Sequence, residues 1–495
     1  MTQLVRVERG RYHDSVTLMR ASAAGTGLGG VGAVIAAMAT ELNLGLLADG
    51  GFSVPEVTPD DLVVAVLADD DAAAQAAVAA VERVLTERPA AARAGSPAVP
   101  LHTVEAALAR APEAGVVVVS VPGRHAYVEA VAAVRAGRHV MVFSDGVDVA
   151  AEVALKREAA AAGVLVMGPD CGTVILGGVG LGFANVVVPG PVGIVTASGT
   201  GAQQLCGLLD GAGLGVRHVL GVGGRDLSAA VGGASTLAAL AALDDDPAVD
   251  VIAVVSKPPD PAVAERVAAA AAVCRTPVVL AMVGPGRPTL TVAAADIAGA
   301  LGVTLGAPTS WDPAAAPAPR PGPILGLYGG GTSCIEALGI LELVGPVRSN
   351  VHPDTSRRIG PDDDPAGAHV LLDLGDDELT VGRPHPMIDP AAVADRLAAA
   401  VATAADTRRP GVVLLDVVLG HGAHPDPAAV LAPAVDAARH AGVAVVVALV
   451  GTAGDPQGLE HQAGTLVAAG AAVHRSNAHA AQRAAALTMS VGSRS

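Results

Sequence analysis

Aromatic residues, lysine and cysteine are all scarce in this chain. Only seven of its 495 residues are aromatic, and the two lysines are Lys156 and Lys257. The four cysteines, at positions 171, 206, 274 and 334, show neither a CxxC pair nor the spacing of a zinc site. We therefore expect no metal centre, and cysteines scattered in this way are typical of a reducing cytoplasm.

The chain also lacks the segments that would indicate export or membrane insertion. Its first residues do not show the charged and then apolar pattern of a signal peptide. No uncharged apolar run is long enough to span a bilayer. The net charge of −17 argues against nucleic acid and anionic membrane surfaces as partners. We expect a cytoplasmic protein that acts on a small molecule, with a homo-oligomer as one possible state.

Short apolar runs are what the chain has in abundance. With 51% apolar and 16% charged residues it is globular, and its length suffices for several domains. The runs alternate with helical patterns, which predicts an α/β fold: a small N-terminal α/β sandwich, then doubly wound parallel-sheet domains. The predicted segments are the sandwich at 1–92, a Rossmann-like domain at 99–190, flavodoxin-like domains at 191–308 and 324–495, and linkers at 89–98 and 309–323.

A motif in the middle of the chain predicts an anion site. The apolar run 192–197 ends in the letters SGTG, and a helical pattern follows directly. A buried strand, a glycine turn and a helix start place free N–H groups and the positive end of a helix dipole where a phosphate or carboxylate can bind. The alternative is a turn that needs glycine only to close tightly. The predicted phosphate-binding residues are Ser198, Gly199, Thr200 and Gly201.

The C-terminal part repeats this pattern. The apolar run 412–419 leads into the letters GHGAH, and a helical pattern begins near Ala428. We expect this second loop to face the first across one anion, which adds Gly420, Gly422 and Ala423 as phosphate-binding residues.

The two lysines have different predicted surroundings. Lys156 lies in an alanine-rich helical pattern, which favours a solvated helix face. Lys257 directly follows the apolar run 251–256, at the strand end where open α/β sheets bind their ligands. The alternative for Lys257 is a surface charge on a loop.

Nine short motifs together resemble one family. They are GPDCGT, FANV, ASGTG, GGRDL, VSKPP, LDLGDD, GRPHPMID, LDVVLGHGAHPDPA and GTAGDPQ. In this combination the chain resembles the FdrA family, whose members are relatives of succinyl-CoA ligase. The resemblance covers nearly the whole chain and is weakest in the first hundred residues. It implies a CoA-binding-type Rossmann domain, two ligase-type domains, and a phosphoryl group held between two helix N-termini.

Two departures from the ligase pattern bear on the activity. The ligase carries a phosphorylated histidine where this chain has no histidine, in the stretch Met282–Thr289, and a carboxylate where this chain has Lys257. The resemblance then implies a subunit of oxamate carbamoyltransferase, which converts oxalurate and phosphate to oxamate and carbamoyl phosphate together with two further subunits. It implies no required cofactor. The alternatives are an acyl-CoA synthetase that uses CoA, and a non-catalytic scaffold.

The carbamoyl transfer would need an anion clamp, a carboxylate-binding group and a proton donor. We expect Lys257, His385 and His424 to be catalytic, and Asp170, Arg225 and Arg383 to bind substrate. Three of them have a simpler alternative: Asp170 caps a turn, His424 is an ordinary loop residue, and Arg383 forms an ion pair with Asp373 or Asp389.

Overall fold

The computed structural model describes residues 2–13, 15–86, 101–314, 322–361, 363, 367–380, 384–402 and 410–488. The predicted linker 89–98 and the candidate residue Arg383 lie outside these ranges. The chain forms two compact units, Met1–His102 with Thr380–Pro384, and Thr103–Leu379 with His385–Ser495. Within the described ranges, no helix combines the length and the apolar character that crossing a membrane requires.

The N-terminal unit contains a three-stranded antiparallel sheet in the order β1-β3-β2. Helices cover both faces of the sheet, so nearly every residue of its central strand is buried, and the apolar run LVVAVLA predicts this. The elements are β1 (Thr2–Glu8), α1 (Ser15–Thr26), β2 (Val31–Met38), α2 (Glu41–Asp49), β3 (Leu62–Ala68) and α3 (Asp71–Thr86).

The second unit begins with a small parallel sheet in the order β4-β5-β6. Asp148 caps the helix α6 and accepts hydrogen bonds from the first N–H groups, and Gly163 ends it in the left-handed conformation. The elements are α4 (Val104–Arg110), β4 (Val116–Val119), α5 (Gly123–Arg135), β5 (His139–Val142), α6 (Val149–Ala162) and β6 (Val166–Met167).

The next sheet has six strands in the order β12-β11-β9-β10-β7-β8. Helices α7 and α10 pack on one face, and α8 and α9 on the other. The elements are β7 (Thr173–Leu176), β8 (Val179–Gly182), β9 (Val192–Thr196), α7 (Gly199–Gly211), β10 (Val216–Gly221), α8 (Ala234–Asp244), β11 (Val251–Ser256), α9 (Pro261–Val273), β12 (Val278–Met282) and α10 (Leu290–Ala300).

The last sheet has seven strands in the order β13-β19-β18-β17-β14-β16-β15. Helices α11 and α16 cover one face, and α13, α14 and α15 cover the other. The elements are β13 (Ser310–Trp311), β14 (Ile324–Tyr328), α11 (Gly331–Leu341), β15 (Val347–Ser349), β16 (His369–Asp373), α12 (Asp377–Thr380), α13 (Ala391–Ala402), β17 (Val412–Val418), α14 (Pro427–His440), β18 (Ala444–Val450), α15 (Leu459–Ala469), β19 (Ala472–His474) and α16 (Asn477–Thr488).

The α/β fold with several doubly wound sheets is confirmed, and one hairpin departs from the expected arrangement. We expected residues up to 190 to belong to the Rossmann-like domain, but β7 and β8 pair antiparallel at the edge of the six-stranded sheet. Gly177 and Gly178, both with positive φ, connect them in a two-residue turn, a conformation that glycine adopts without strain. The hairpin therefore carries the residues after it toward the seven-stranded sheet.

Candidate functional site

The N-terminus of α7 forms the first half of the site. Strand β9 is buried along its whole length, and the chain leaves it through Ala197 to Ser198, the cap of the helix. Ser198 Oγ accepts a hydrogen bond from the N–H of Gly201 at 3.1 Å. The N–H groups of Gly199 and Thr200 precede the first intrahelical bond and have no acceptor within the helix. The predicted strand, glycine turn and helix start are therefore present here.

The N-terminus of α11 forms the second half. Strand β14 ends at Tyr328, and Gly329 and Gly330 connect it to the helix without a side-chain cap of their own. A carboxylate from the neighbouring strand β17 takes that role. Asp416 accepts the N–H of Gly329 on Oδ1 at 2.6 Å and the N–H of Gly330 on Oδ2 at 3.0 Å. The sequence analysis did not assign Asp416, which lies in an otherwise apolar strand.

These two helix starts touch one another. The hydroxyl groups of Ser198 and Thr332 share a hydrogen bond between the two sheets. A Cβ atom on Gly330 would lie 2.7 Å from Thr200 Oγ1, so the close approach requires glycine. The positive ends of two helix dipoles therefore point at the same place, and each favours a bound anion.

Lys257 lies beside this contact. It follows β11, the neighbour of β9, and its side chain is exposed. Its Nζ is 2.5 Å from the point that a Cβ on Gly331 would occupy, and Asp373 Oδ2 is closer still to the same point. Lys257 therefore reaches the start of α11, across the boundary between the two sheets.

Two buried carboxylates, Asp373 and Asp416, lie at this end of the seven-stranded sheet. Their residues are 3% and 6% exposed, respectively. Burial raises the pKa of Asp416 to about 7; the hydrogen bond from Gly329 opposes this rise and the charge of Asp373 adds to it. A cavity of about 20 Å³, lined by Asp416, Gly329 and Pro386 among others, gives one water molecule room beside the carboxylate.

The loop 420–424 has surroundings that differ from the expected ones. A Cβ on Gly420 would lie 2.6 Å from the carbonyl oxygen of Ala184, and one on Gly422 would lie 2.6 Å from the Phe183 ring. The following helix α14 begins only at Pro427, where Asp426 is the cap. The loop thus packs against the segment after β8, and its glycines permit that close packing. The helix start that contacts Ser198 and Thr200 is instead that of α11.

The candidate histidines differ in their surroundings. His385 accepts the N–H of Met387 on Nδ1 at 3.2 Å, and burial lowers its pKa to about 4. At neutral pH His385 is therefore uncharged with its proton on Nε2, which points toward Gly375 near the start of α11. His424 accepts the N–H of Asp426 on Nδ1 at 3.1 Å. Its backbone N–H donates to the carbonyl oxygen of Met387. This arrangement makes His424 part of the loop structure.

The candidate substrate residues Asp170 and Arg225 lie at the boundary with the Rossmann-like sheet. Arg225 donates to the carbonyl of Val147 at 2.7 Å and pairs with Glu152 at 3.0 Å. Asp170 is exposed, has a φ of 55° and donates its N–H to the carbonyl of Ser144. Both of these contacts of Arg225 are made to the Rossmann-like domain and not to the starts of α7 and α11.

Lys156 is buried, contrary to the solvated face that its helix predicted. Its Nζ donates to Glu152 at 2.8 Å and to Asp226 at 2.7 Å, and the lysine side chain is 2% exposed. Asp226 in turn accepts N–H groups from Ser235 and Thr236 at the start of α8. The lysine thus joins the Rossmann-like domain to the six-stranded sheet.

Further hydrogen bonds fix the two larger sheets against each other. Asp455 accepts the side-chain amide of Asn185 at 2.7 Å and the N–H of Val186 at 2.8 Å. Arg475 pairs with Asp210 of α7 at 2.9 Å. Asn185 and Asp455 both lie in motifs, FANV and GTAGDPQ, whose role the sequence analysis did not assign.

Two family models match parts of the chain. Residues 1–100 match a domain described as AllF, heavy metal-associated domain, and residues 327–487 match the CoA-ligase domain. The first match raises the question of a metal. Residues 1–100 contain no cysteine and a single histidine, His13, and the described residues hold no cluster of three metal-ligating side chains. These residues do not fit a heavy metal site.

Two solved structures resemble the chain at low similarity. The Methanothrix soehngenii ATP citrate lyase in complex with citrate and coenzyme A is 19% identical with a TM-score of 0.32. The match covers 41% of this chain and 37% of the lyase. The dinucleotide-forming acetyl-coenzyme A synthetase 1 of Ca. Korarchaeum cryptofilum is 18% identical with a TM-score of 0.27, covering 76% of this chain and 84% of the synthetase. At such scores these likenesses carry no argument about function.

One relative matches almost the whole chain. The uncharacterised protein YahF of Escherichia coli (strain K12) is 37% identical over an alignment of 499 residues that covers 95% of each protein. Together with the CoA-ligase match, this agrees with the resemblance found in the motifs. The chain therefore belongs to the same succinyl-CoA ligase-like family as YahF.

Proposed function

We propose that the chain catalyses an acyl transfer of the CoA-ligase type, in which a phosphoryl group lies between the N-termini of α7 and α11. The observation that carries this proposal is the contact of Ser198 with Thr332, which brings two helix starts from different sheets together. Both starts offer N–H groups that lack an acceptor within their helix. The region that matches the CoA-ligase domain, 327–487, contains all of α11.

The charges around this place support a phosphate or an acyl phosphate as the ligand. Lys257 brings a cation to the start of α11, where its exposed side chain lies beside the buried carboxylate of Asp373. Thr200 adds a hydroxyl group next to Gly330. Charge-assisted hydrogen bonds of this kind are about twice as strong as neutral ones.

The phosphoryl group would be bound at the two helix starts and would not be attached covalently to a histidine. The stretch Met282–Thr289 contains no histidine. Its glycine Gly284 packs closely instead: a Cβ there would lie 2.9 Å from Pro258, and one on Gly339 of α11 would lie 3.1 Å from Gly284. His385 lies near the start of α11, and its uncharged Nε2–H is a hydrogen-bond donor. Its role would be to orient a substrate oxygen.

Carbamoyl transfer between oxalurate and phosphate is the second candidate. It is favoured by one observation, the presence of Lys257 beside an anion site that has no phosphate-accepting histidine. Free phosphate would then attack the ureido carbonyl directly, and partner subunits would complete the site. The names of the matching family domain and of YahF point to no carbamoyl transfer, so the ligase-type reaction takes first place.

A ligand screen on the full chain tests both candidates. A ligand that binds only the native state raises the melting temperature, so phosphate, carbamoyl phosphate, CoA and ATP are compared by thermal shift. The ligase-type reaction predicts stabilisation by phosphate and by CoA. Stabilisation by carbamoyl phosphate without any effect of CoA would favour carbamoyl transfer. A melting temperature that no anion changes would contradict both.

One glycine substitution locates the anion. In Gly331→Ala the new Cβ would meet Lys257 Nζ and Asp373 Oδ2, so the start of α11 has to shift and the stabilisation by phosphate should be lost. The matched control is Gly299→Ala in α10, where a Cβ meets nothing within 4 Å. Equal stabilisation of both variants by phosphate would place the anion elsewhere.

A further inference from the structure

Asp416 borders the proposed anion site. Its Oδ2 lies 3.0 Å from the point that a Cβ on Gly330 would occupy, and Thr200 Oγ1 lies 2.7 Å from the same point. The carboxylate is thus next to the hydroxyl group and the N–H groups that would hold the anion. Both of its oxygens already accept an N–H, from Gly329 and Gly330, which fixes their position. The carboxylate of Asp416 would therefore lie next to an anion that binds at the start of α11.

Burial shifts the pKa values of several titratable groups on the elements around Asp416. Burial raises the pKa of both Tyr328 on β14 and Cys334 on α11 well above their ordinary values, and lowers that of His385 to about 4. Burial also raises the pKa of Glu336, which is bonded to Asn477 and to the N–H of Leu290. The other charges nearby are Asp373 on β16 and Lys257 after β11.

We propose that Asp416 is the residue that selects phosphate against sulfate at this site. The two anions have the same shape and differ in one respect. Near neutral pH phosphate retains a proton on one oxygen, whereas sulfate is fully ionised. A protonated phosphate oxygen can donate a hydrogen bond to a carboxylate, and a sulfate oxygen can only repel it. The inference deepens the proposed function, on whose phosphate site it rests.

The selection follows from counting protons. A proton has to lie between the carboxylate of Asp416 and the nearest oxygen of the anion. Without it, two negatively charged oxygens would repel each other. Phosphate brings that proton itself, so its affinity stays constant as Asp416 ionises. Sulfate binds only when the carboxyl group is protonated. With a pKa of Asp416 near 7, sulfate affinity should fall as the pH rises above neutrality, and the fall should approach about tenfold for each pH unit at higher pH.

The test is a titration of both anions by calorimetry on the full chain between about pH 6 and 9. In the wild type, the ratio of phosphate to sulfate affinity should rise about fiftyfold from pH 7 to pH 9, because the protonated fraction of Asp416 falls from about one half to about one hundredth. In Asp416→Asn the ratio should stay constant, because the amide neither titrates nor repels sulfate. The control is Asp395→Asn on the exposed face of α13, which should behave as the wild type.

A measurement on the wild type alone guards against misfolding of the variant. At pH 8, sulfate binding should take up about one proton and phosphate binding none, as seen from the binding heat in buffers of different ionisation enthalpy. Binding of both anions with a constant ratio and equal proton uptake would refute the role of Asp416 and leave the phosphate site intact. If phosphate failed to bind at every pH tested, the site itself would be overturned, and the inference with it.

Discussion

Replacing Lys257 by alanine tests the electrostatics of the proposed site. The lysine brings its ammonium group to the start of α11, where Asp373 supplies a charge of opposite sign. A charge-assisted hydrogen bond contributes about 1.5–3 kcal/mol, and the exposure of Lys257 places this contact at the low end. We therefore expect Lys257→Ala to weaken phosphate binding about tenfold. Lys257→Arg should recover only part of the loss, because the planar guanidinium group of arginine does not occupy the place of the compact ammonium group.

The assay is the affinity for inorganic phosphate, measured by calorimetry at two salt concentrations. Removing any cation weakens anion binding at long range, an effect that salt screens. Arg287→Ala is the matched control, since Arg287 is exposed in the loop after β12. The contact predicts a loss for Lys257→Ala that persists at high salt and exceeds the loss for Arg287→Ala. Equal losses in the two variants would show that Lys257 is an ordinary surface charge.

Two further predictions concern stability. Lys156→Met leaves the buried Asp226 without the ammonium group that pairs with it, and leaves Glu152 with Arg225 as its cation, so urea denaturation at neutral pH should show a loss of about 3–5 kcal/mol in the free energy of unfolding, and a loss below about 1 kcal/mol would contradict the buried ion pairs. The pKa of His385 is lowered in the folded protein. As the pH falls from about 6.5 toward 4, His385 therefore becomes protonated in the unfolded protein while it stays neutral in the folded protein. The stability of the wild type should therefore fall more steeply in that window than that of His385→Gln, and parallel curves would count against the burial.

The regular part of the fold could be predicted because its strands are buried on both faces. Strands β9, β14 and β17 occupy the positions that their apolar runs predicted. The boundaries of such a run are well defined, since proline or glycine precedes each of these three strands and glycine or serine follows it within two residues. The start of α7 follows for the same reason, because Ser198 and the glycines after it allow a capped helix and little else.

The partner of the first helix start could not be predicted with the same means. Both 324–331 and 412–420 show an apolar strand followed by glycine, and the sequence analysis chose the second as the anion site. The structure differs because Pro425 and Pro427 delay α14 until Asp426 caps it, whereas α11 begins directly after Gly330. Lys156 was misjudged for a related reason: an alanine-rich helix does not reveal which of its faces meets another domain.

The contacts between the two larger sheets bear on how well an anion would bind at the proposed site. Asp455 with Asn185, and Arg475 with Asp210, hold the sheets together through buried hydrogen bonds. These bonds form when the chain folds, so the starts of α7 and α11 already face each other before a ligand arrives. A site assembled in advance loses less conformational entropy on binding than one that closes around its ligand. Because both helices belong to one chain, their local concentration does not depend on that of the protein, and dilution should leave the phosphate affinity of the chain unchanged.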